Sequence, residues 1–352
     1  MTYFSRMLFA LGVGLAIANT LSFIAPVPGL AQPSPSLSSP PSSARQGTPL
    51  YLIRQNSQIG YIDAVGEMAI PPQYDDGHGF AEGVAVAQSG KKYGYVDPSG
   101  QWVIKPQFEL AKDFSEGLAA VMFNDKFGYI NRSGQWVIKP QFFLVGPFSE
   151  ELARVLIDKK YGFIDRQGQV VIPAQYNLAH NFSGGLAKVQ VGSRVGFINK
   201  NGQMAIAPQF YEASSFQNGL AAVETDQRWR YLQTNGQFAF AGQFDRAWAF
   251  SEGLGLVRIG LKYGFIDKTG QMVIPPQFDR AGSFSEGKAW VTVNNQQGYI
   301  NPTGKFVISP RFDEASNFRQ GLALIKTGGR DGYVNASGQV IWQSSQTSNP
   351  SP

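Results

Sequence analysis

Five glutamates share one position of a repeating pattern: Glu82, Glu116, Glu150, Glu252 and Glu286. Asn218, Gln320 and Gly184 hold the same position in other copies. Carboxylates are suited to general acid–base work, but that chemistry needs two of them in unlike environments. A repeat supplies like environments instead. The column is therefore expected to bond backbone N–H groups beside the glycine that usually follows. Binding of cations or amines along a ladder of carboxylates is the alternative. The two histidines, His78 and His180, also share one position, held elsewhere by Lys112, Gly146, Ser214, Trp248, Gly282 and Ser316. So varied a column reads as solvated loop rather than as metal ligand or base. The absence of cysteine excludes thiolate metal sites, thiol nucleophiles and disulfides. No nucleophile elbow, phosphate-binding glycine loop or His-Glu-x-x-His motif occurs. These residues point to no catalysis, no cofactor and no metal.

Aromatic residues are the one surplus. Trp102 and Trp136 share a steadily apolar column with Met68, Val170, Met204, Phe238, Met272, Phe306 and Val340, which predicts core. Trp248 and Trp290 differ, because they stand at positions that are polar or variable in other copies. Amphipathic aromatics on a surface suit contacts to sugars or proteins. The most divergent copy, Leu220 to Phe244, has Arg230 for a glycine, Gln233 for an Asx residue and Gly242 for a proline. These departures predict a partner-binding patch of Arg228, Arg230, Asp245, Arg246 and Trp248, with Trp290 as a second exposed aromatic. Drift in a tolerant unit is the alternative.

These residues hang on a strict period. Gly66, Gly100, Gly134, Gly168, Gly202, Gly236, Gly270, Gly304 and Gly338 recur every 34 residues. A second column, from Gly60 to Gly332, breaks only at Arg230. Such a period means one supersecondary unit stacked many times. In one copy, Tyr93-Gly94-Tyr95-Val96 is a strand, Asp97-Pro98-Ser99-Gly100 a turn and Gln101-Trp102-Val103-Ile104 a second strand ended by Pro106. Asp or Asn fills the Asp97 column in all copies but that of Gln233, which predicts a side chain capping the backbone. A connector follows, anchored by Phe114 and its equivalents Phe80, Phe148, Phe182, Phe216, Phe250, Phe284 and Phe318. Leu118 to Val121 is the third strand.

The array begins in the third-strand register at Leu50 and ends in the second-strand register at Trp342. The fold class is therefore all-β: nine tandem three-stranded meanders joined by eight connectors. Val103 and Ile104 would face opposite ways and both columns stay apolar, so the sheets should be covered on both faces. An open, curved, solenoid-like stack is expected, with a closed propeller-like ring as the alternative, since propellers commonly have four-stranded blades.

Residues 1–31 read as a signal peptide, with Arg6, an apolar stretch from Met7 to Ala25 and small residues Gly29 and Ala31 before Gln32. An uncleaved membrane anchor is the alternative. Residues 32–49 form a Pro/Ser linker and 344–352 a polar tail, with the repeat domain at 50–343. A net charge of +5 and 16% charged residues give no basic stripe, so nucleic acid is not an expected partner.

The stretch YGYVDPSGQWVIKPQFELAKDFSEGLAAV, Tyr93 to Val121, closely resembles the WG-containing repeat, also called the KWG repeat, of many bacterial and cell-envelope proteins. The resemblance covers Leu50 to Trp342. The Trp-Gly dipeptide itself does not occur; Tyr93, Phe127, Tyr161, Val195 and Tyr263 hold the tryptophan position. The resemblance implies an all-β repeat domain with a loosely defined binding role and brings no catalytic residues. The expected function is a secreted or periplasmic, non-catalytic module that binds protein or envelope polysaccharide. A structural spacer or surface-assembly role is the alternative, and a glycan-acting enzyme using the Glu116 column a minor one.

Overall fold

The Asx turns form as their spacing requires. The Asp97 carboxylate accepts the Ser99 and Gln101 amides at 2.8 and 3.0 Å, and Asn131, Asp165, Asn199, Asp267, Asn301 and Asn335 repeat the arrangement. Each turn joins two antiparallel strands, such as Lys92–Val96 and Trp102–Phe108. The computed structural model describes residues 47–345. The leader, most of the linker and residues 346–352 lie outside the described residues. None of the described residues forms a helix long and apolar enough to cross a membrane.

Nine antiparallel sheets follow one another along the chain. Six of them have four strands rather than the expected three. The extra strand comes from the connector: Leu110–Ala111 pairs with Ala119–Phe123 before the chain enters the next hairpin. Pro106 does not end its strand either. Trp102–Phe108 runs through it, with register shifts on both sides of the Tyr95–Ile104 pair. This strand is an edge, where a missing N–H is tolerated. The bulge also accounts for the Gly94 column. A Cβ on Gly94 would lie 2.8 Å from the Pro106 nitrogen and closer still to the Ile104 carbonyl.

Arg230 is the test of that reading. Where it replaces the glycine, the outer strand is lost and the sheet keeps only Leu220–Thr225 and Arg228–Gln233. The displaced segment touches the sheet through isolated bridges at Phe238 and Phe244.

Nine apolar clusters lie between neighbouring sheets. Val84, Val86, Tyr95, Ile104 and Phe108 of the second sheet pack on Ala119, Val121 and Ile130 of the third. The alanines let sheets approach closely. The ninth cluster joins the last sheet to the first, through Tyr51, Ile53, Ile62, Leu322, Tyr333 and Trp342. The array is therefore a closed ring, a β-propeller of nine sheets: the all-β tandem repeat expected, closed as in the alternative rather than stacked openly. Closure follows from the two apolar faces of each sheet: an open array would leave one such face bare at each end.

Successive turns at Glu116, Glu150 and their equivalents hydrogen-bond to one another, so this edge is the inner one. The opposite edge is the rim. There Ile104 is 4% exposed but Val103 is 46% exposed, and Trp136, expected in the core, is 38% exposed. Of the two columns that the alternation assigned to covered faces, that of Ile104 is enclosed and that of Val103 lies on the open side of the rim strand. Trp102 and Trp136 instead cover the preceding sheet edge-on, at 5.4 Å from Tyr74 and 5.9 Å from Phe108.

Candidate partner-binding surfaces

The glutamate column caps the inner ring. Glu116 adopts φ 53°, and its carboxylate accepts the Glu150 and Glu151 amides at 2.6 and 2.9 Å. Glu252 does the same to Glu286 and Gly287, Glu150 to Gly185 and Glu82 to Gly117. Arg132 and Lys200 approach Glu82 and Glu150 at 3.6 and 3.4 Å. One carboxylate thus holds the next turn in place, blade after blade. Ser115, Ser149, Ser183, Ser251 and Ser285 add a parallel set, each donating its hydroxyl to the next connector phenylalanine carbonyl. Among the described residues, no group of three or more His, Asp or Glu side chains is gathered so as to hold a metal.

The variable His78 column serves through its backbone. Tyr61 donates its hydroxyl to the His78 carbonyl at 2.7 Å, Tyr95 to Lys112, Tyr129 to Gly146, Tyr231 to Trp248 and Tyr299 to Ser316. Any side chain satisfies that role, which is why the column varies. The two histidines differ. His78 Nδ1 pairs with Asp113 at 2.7 Å, and that hydrogen bond holds its pKa above the ordinary value. Burial, with Lys188 and Arg154 nearby, pushes His180 down to about 4. Arg154 and Lys188 each donate to a carbonyl of the next blade, Ala179 and Ala213, both at 2.7 Å.

The predicted patch is only partly one surface. Arg228 and Asp245 form an ion pair, and Asp245 also accepts the Gly260 amide at 2.6 Å. This pair belongs to the repeat: Lys92–Glu109 and Lys262–Asp279 occupy the same positions. Arg230 lies against the displaced segment, its guanidinium 3.4 Å from the Phe238 ring centre. Arg246 stands 5.9 Å from both the Trp229 and Trp248 rings and 4.0 Å from Glu212. Trp248 is half-buried and leans on Tyr263, with ring centres 5.5 Å apart. Trp290 lies on the next blade. A Cβ on Gly282 would overlap its indole ring, so Gly282 makes room for it.

Trp290 is also a wall of a cavity of about 600 Å3 at the ring seam, with Tyr51, Phe80, Leu322, Leu324 and Tyr333. The columns carried a signal for this site. Tyr51 stands where Ala85, Ala119, Ala153, Ala187, Ala221, Ala289 and Ala323 stand in other blades.

Fold and repeat together define a closed all-β propeller ring of tandem units. The chain belongs to the family of the WG containing repeat, whose profile matches residues 59–93, 93–127, 127–161, 161–194, 196–229, 229–262, 263–296 and 298–330. No curated protein matches the chain. Among solved structures, it is similar to one titled "Crystal structure of the eukaryotic initiation factor", at 14% identity and a TM-score of 0.58, covering 85% of this chain and 96% of that one. It also matches Kluyveromyces lactis Hsv2, at 8% identity and a TM-score of 0.41, covering 66% of this chain and 97% of that one. The first likeness supports the fold alone.

Proposed function

We propose that this ring is a non-catalytic binding module that works outside the cytoplasm and takes a partner protein or an envelope polysaccharide. The observation that carries the reading is the half-open aromatic surface of Trp248, Tyr263 and Arg246. It breaks the repeat, and no cross-blade contact of the other blades requires it. An indole face with a cation at its edge offers stacking and hydrogen bonding to a sugar ring or a peptide. The glutamate column supports the same reading from the other side. Its carboxylates hold the turn amides of the next blade, and the repeat offers them like rather than unlike environments. A closed ring also has no bare sheet at its ends by which copies would stack, which favours binding over a spacer role.

The test is retention from envelope extract and from purified envelope polysaccharide by immobilised full-length protein. Trp248→Ala and Arg246→Ala are expected to lose the retained material. Retention unchanged by both substitutions counts against this surface.

A further inference from the structure

Eight connectors bridge nine blades, and each buries one phenylalanine on the blade it leaves. Phe80 meets Tyr61 at 4.9 Å, Phe114 meets Tyr95 at 4.9 Å, Phe148 meets Tyr129 at 4.8 Å, and so on to Phe318 on Tyr299 at 4.8 Å. The ninth aromatic of that series is Tyr333. The sequence register puts Gln46, not phenylalanine, at the corresponding connector position. Tyr51 covers part of the gap. Its ring lies 5.5 Å from Tyr333, and its hydroxyl donates to the Gln320 carbonyl. The cavity of about 600 Å3 remains beside it.

The strand next to this cavity is also incomplete. In the second blade Asp76–Gly77 pairs with Ala85–Ser89, and equivalent short strands pair in the third, eighth and ninth. In the first blade Tyr51–Gln55 is the edge of a three-stranded sheet, and no strand among the described residues pairs with its free side. A free edge beside an apolar cavity is the geometry of strand addition. Backbone hydrogen bonds give the affinity there, and side-chain pockets give the selectivity.

We propose that the seam is a docking site for an extended segment of a partner protein. The segment adds antiparallel to Tyr51–Gln55 and places one aromatic side chain against Tyr333. This rests on the binding-module reading and names a partner class for it. The occupant's chemistry is specified by the eight other junctions: all hold a phenylalanine in the equivalent place, and six also pair a connector strand there, the connectors into the fourth and sixth blades making isolated bridges. Trp290 and Leu324 form an apolar wall for a flat ring, and Ser316, Asn317, Arg319 and Gln320 give the rest of the lining polar groups for the backbone of the segment.

The experiment uses the full-length protein and a fluorescently labelled peptide ELAKDFSEG, which copies the protein's own residues 109–117. Anisotropy is expected to show binding that weakens by roughly tenfold or more when the peptide phenylalanine is replaced by alanine. Leu324→Arg is expected to abolish binding. Leu324 is 44% exposed, so the variant keeps the fold, and its melting temperature checks this. Absence of peptide binding overturns the proposal. Binding indifferent to the phenylalanine or to Leu324→Arg also overturns it. If envelope material is retained by Leu324→Arg but lost by Trp248→Ala, the binding-module reading stands and seam docking falls.

Discussion

The Tyr333 hydroxyl donates to the Leu52 carbonyl at 2.8 Å, across 281 residues of sequence. In other blades the same tyrosine donates to the connector strand of the next blade, as Tyr61 does to His78 and Tyr299 to Ser316. With no described connector strand at the seam, the bond passes directly to the first long strand. The ring is thus locked by the repeat's own cross-blade bond, moved one strand outward.

Tyr51→Ala removes the ring that fills the seam and should cost about 2–4 kcal/mol, as other large-to-small core changes do. Tyr333→Phe removes only the hydroxyl and should cost about 1 kcal/mol. Chemical denaturation of the two variants checks the order. A change below about 0.5 kcal/mol for Tyr51→Ala is what a non-essential surface position would give and would contradict its role in closure.

Gly94→Arg reproduces in a regular blade what Arg230 does in the divergent one. The added Cβ meets the backbone at Ile104 and Pro106, so the outer strand must move. That strand carries the buried Ile104 and Phe108, and the expected loss is about 3 kcal/mol or more. Arg230→Gly should be mild by comparison, because its outer strand is already displaced. Paired thermal melts measure the contrast.

Glu116→Ala leaves the Glu150 and Glu151 amides without their acceptor and should cost about 1–2 kcal/mol. Glu116→Gln, which retains an acceptor oxygen, should cost less. An acid–base role for this column predicts the reverse emphasis, with little change in stability and loss of any glycan hydrolysis.

The two histidines give opposite pH responses. His78 has a raised pKa, so its contribution is present below the ordinary histidine range and is lost as pH rises through the folded value. His180 is lowered to about 4, so the unfolded chain takes up its proton first and stability falls as pH drops from about 6.5 towards 4. His180→Asn should flatten the stability profile in that window, and His78→Asn should not. Proton NMR of the ring Cε1–H signals should place the His78 midpoint above 6.5 and the His180 midpoint near 4.

Local chemistry was legible from the columns. Asp97 needs its turn amides, Phe114 needs a covered ring, and the register of Leu50 and Trp342 sets nine units joined by eight connectors. Each of these depends on a few neighbouring residues. Closure does not. The apolar faces demand cover on both sides of every sheet, but that the last sheet meets the first is set by all nine junctions together, and no single column records it. The rim misled for a related reason. Val103 is apolar in most copies yet lies on the open side of an edge strand, while its neighbour Trp102 covers the preceding blade without being enclosed. The patch at Arg228 was misread because its ion pair recurs as Lys92–Glu109 with other residue types. Trp248 and Trp290 differ in kind, because their side chains depart from the residue types of their columns.

Each sequence repeat begins in one blade and ends in the next, so every copy carries one complete junction. Unequal recombination between two copies would therefore add or delete a whole junction without creating a foreign one. The ring could change its number of blades while Tyr51 and Tyr333, at its two ends, still met each other. The circumference of the ring is thereby open to variation in single steps, with the interfaces that hold the ring already in place.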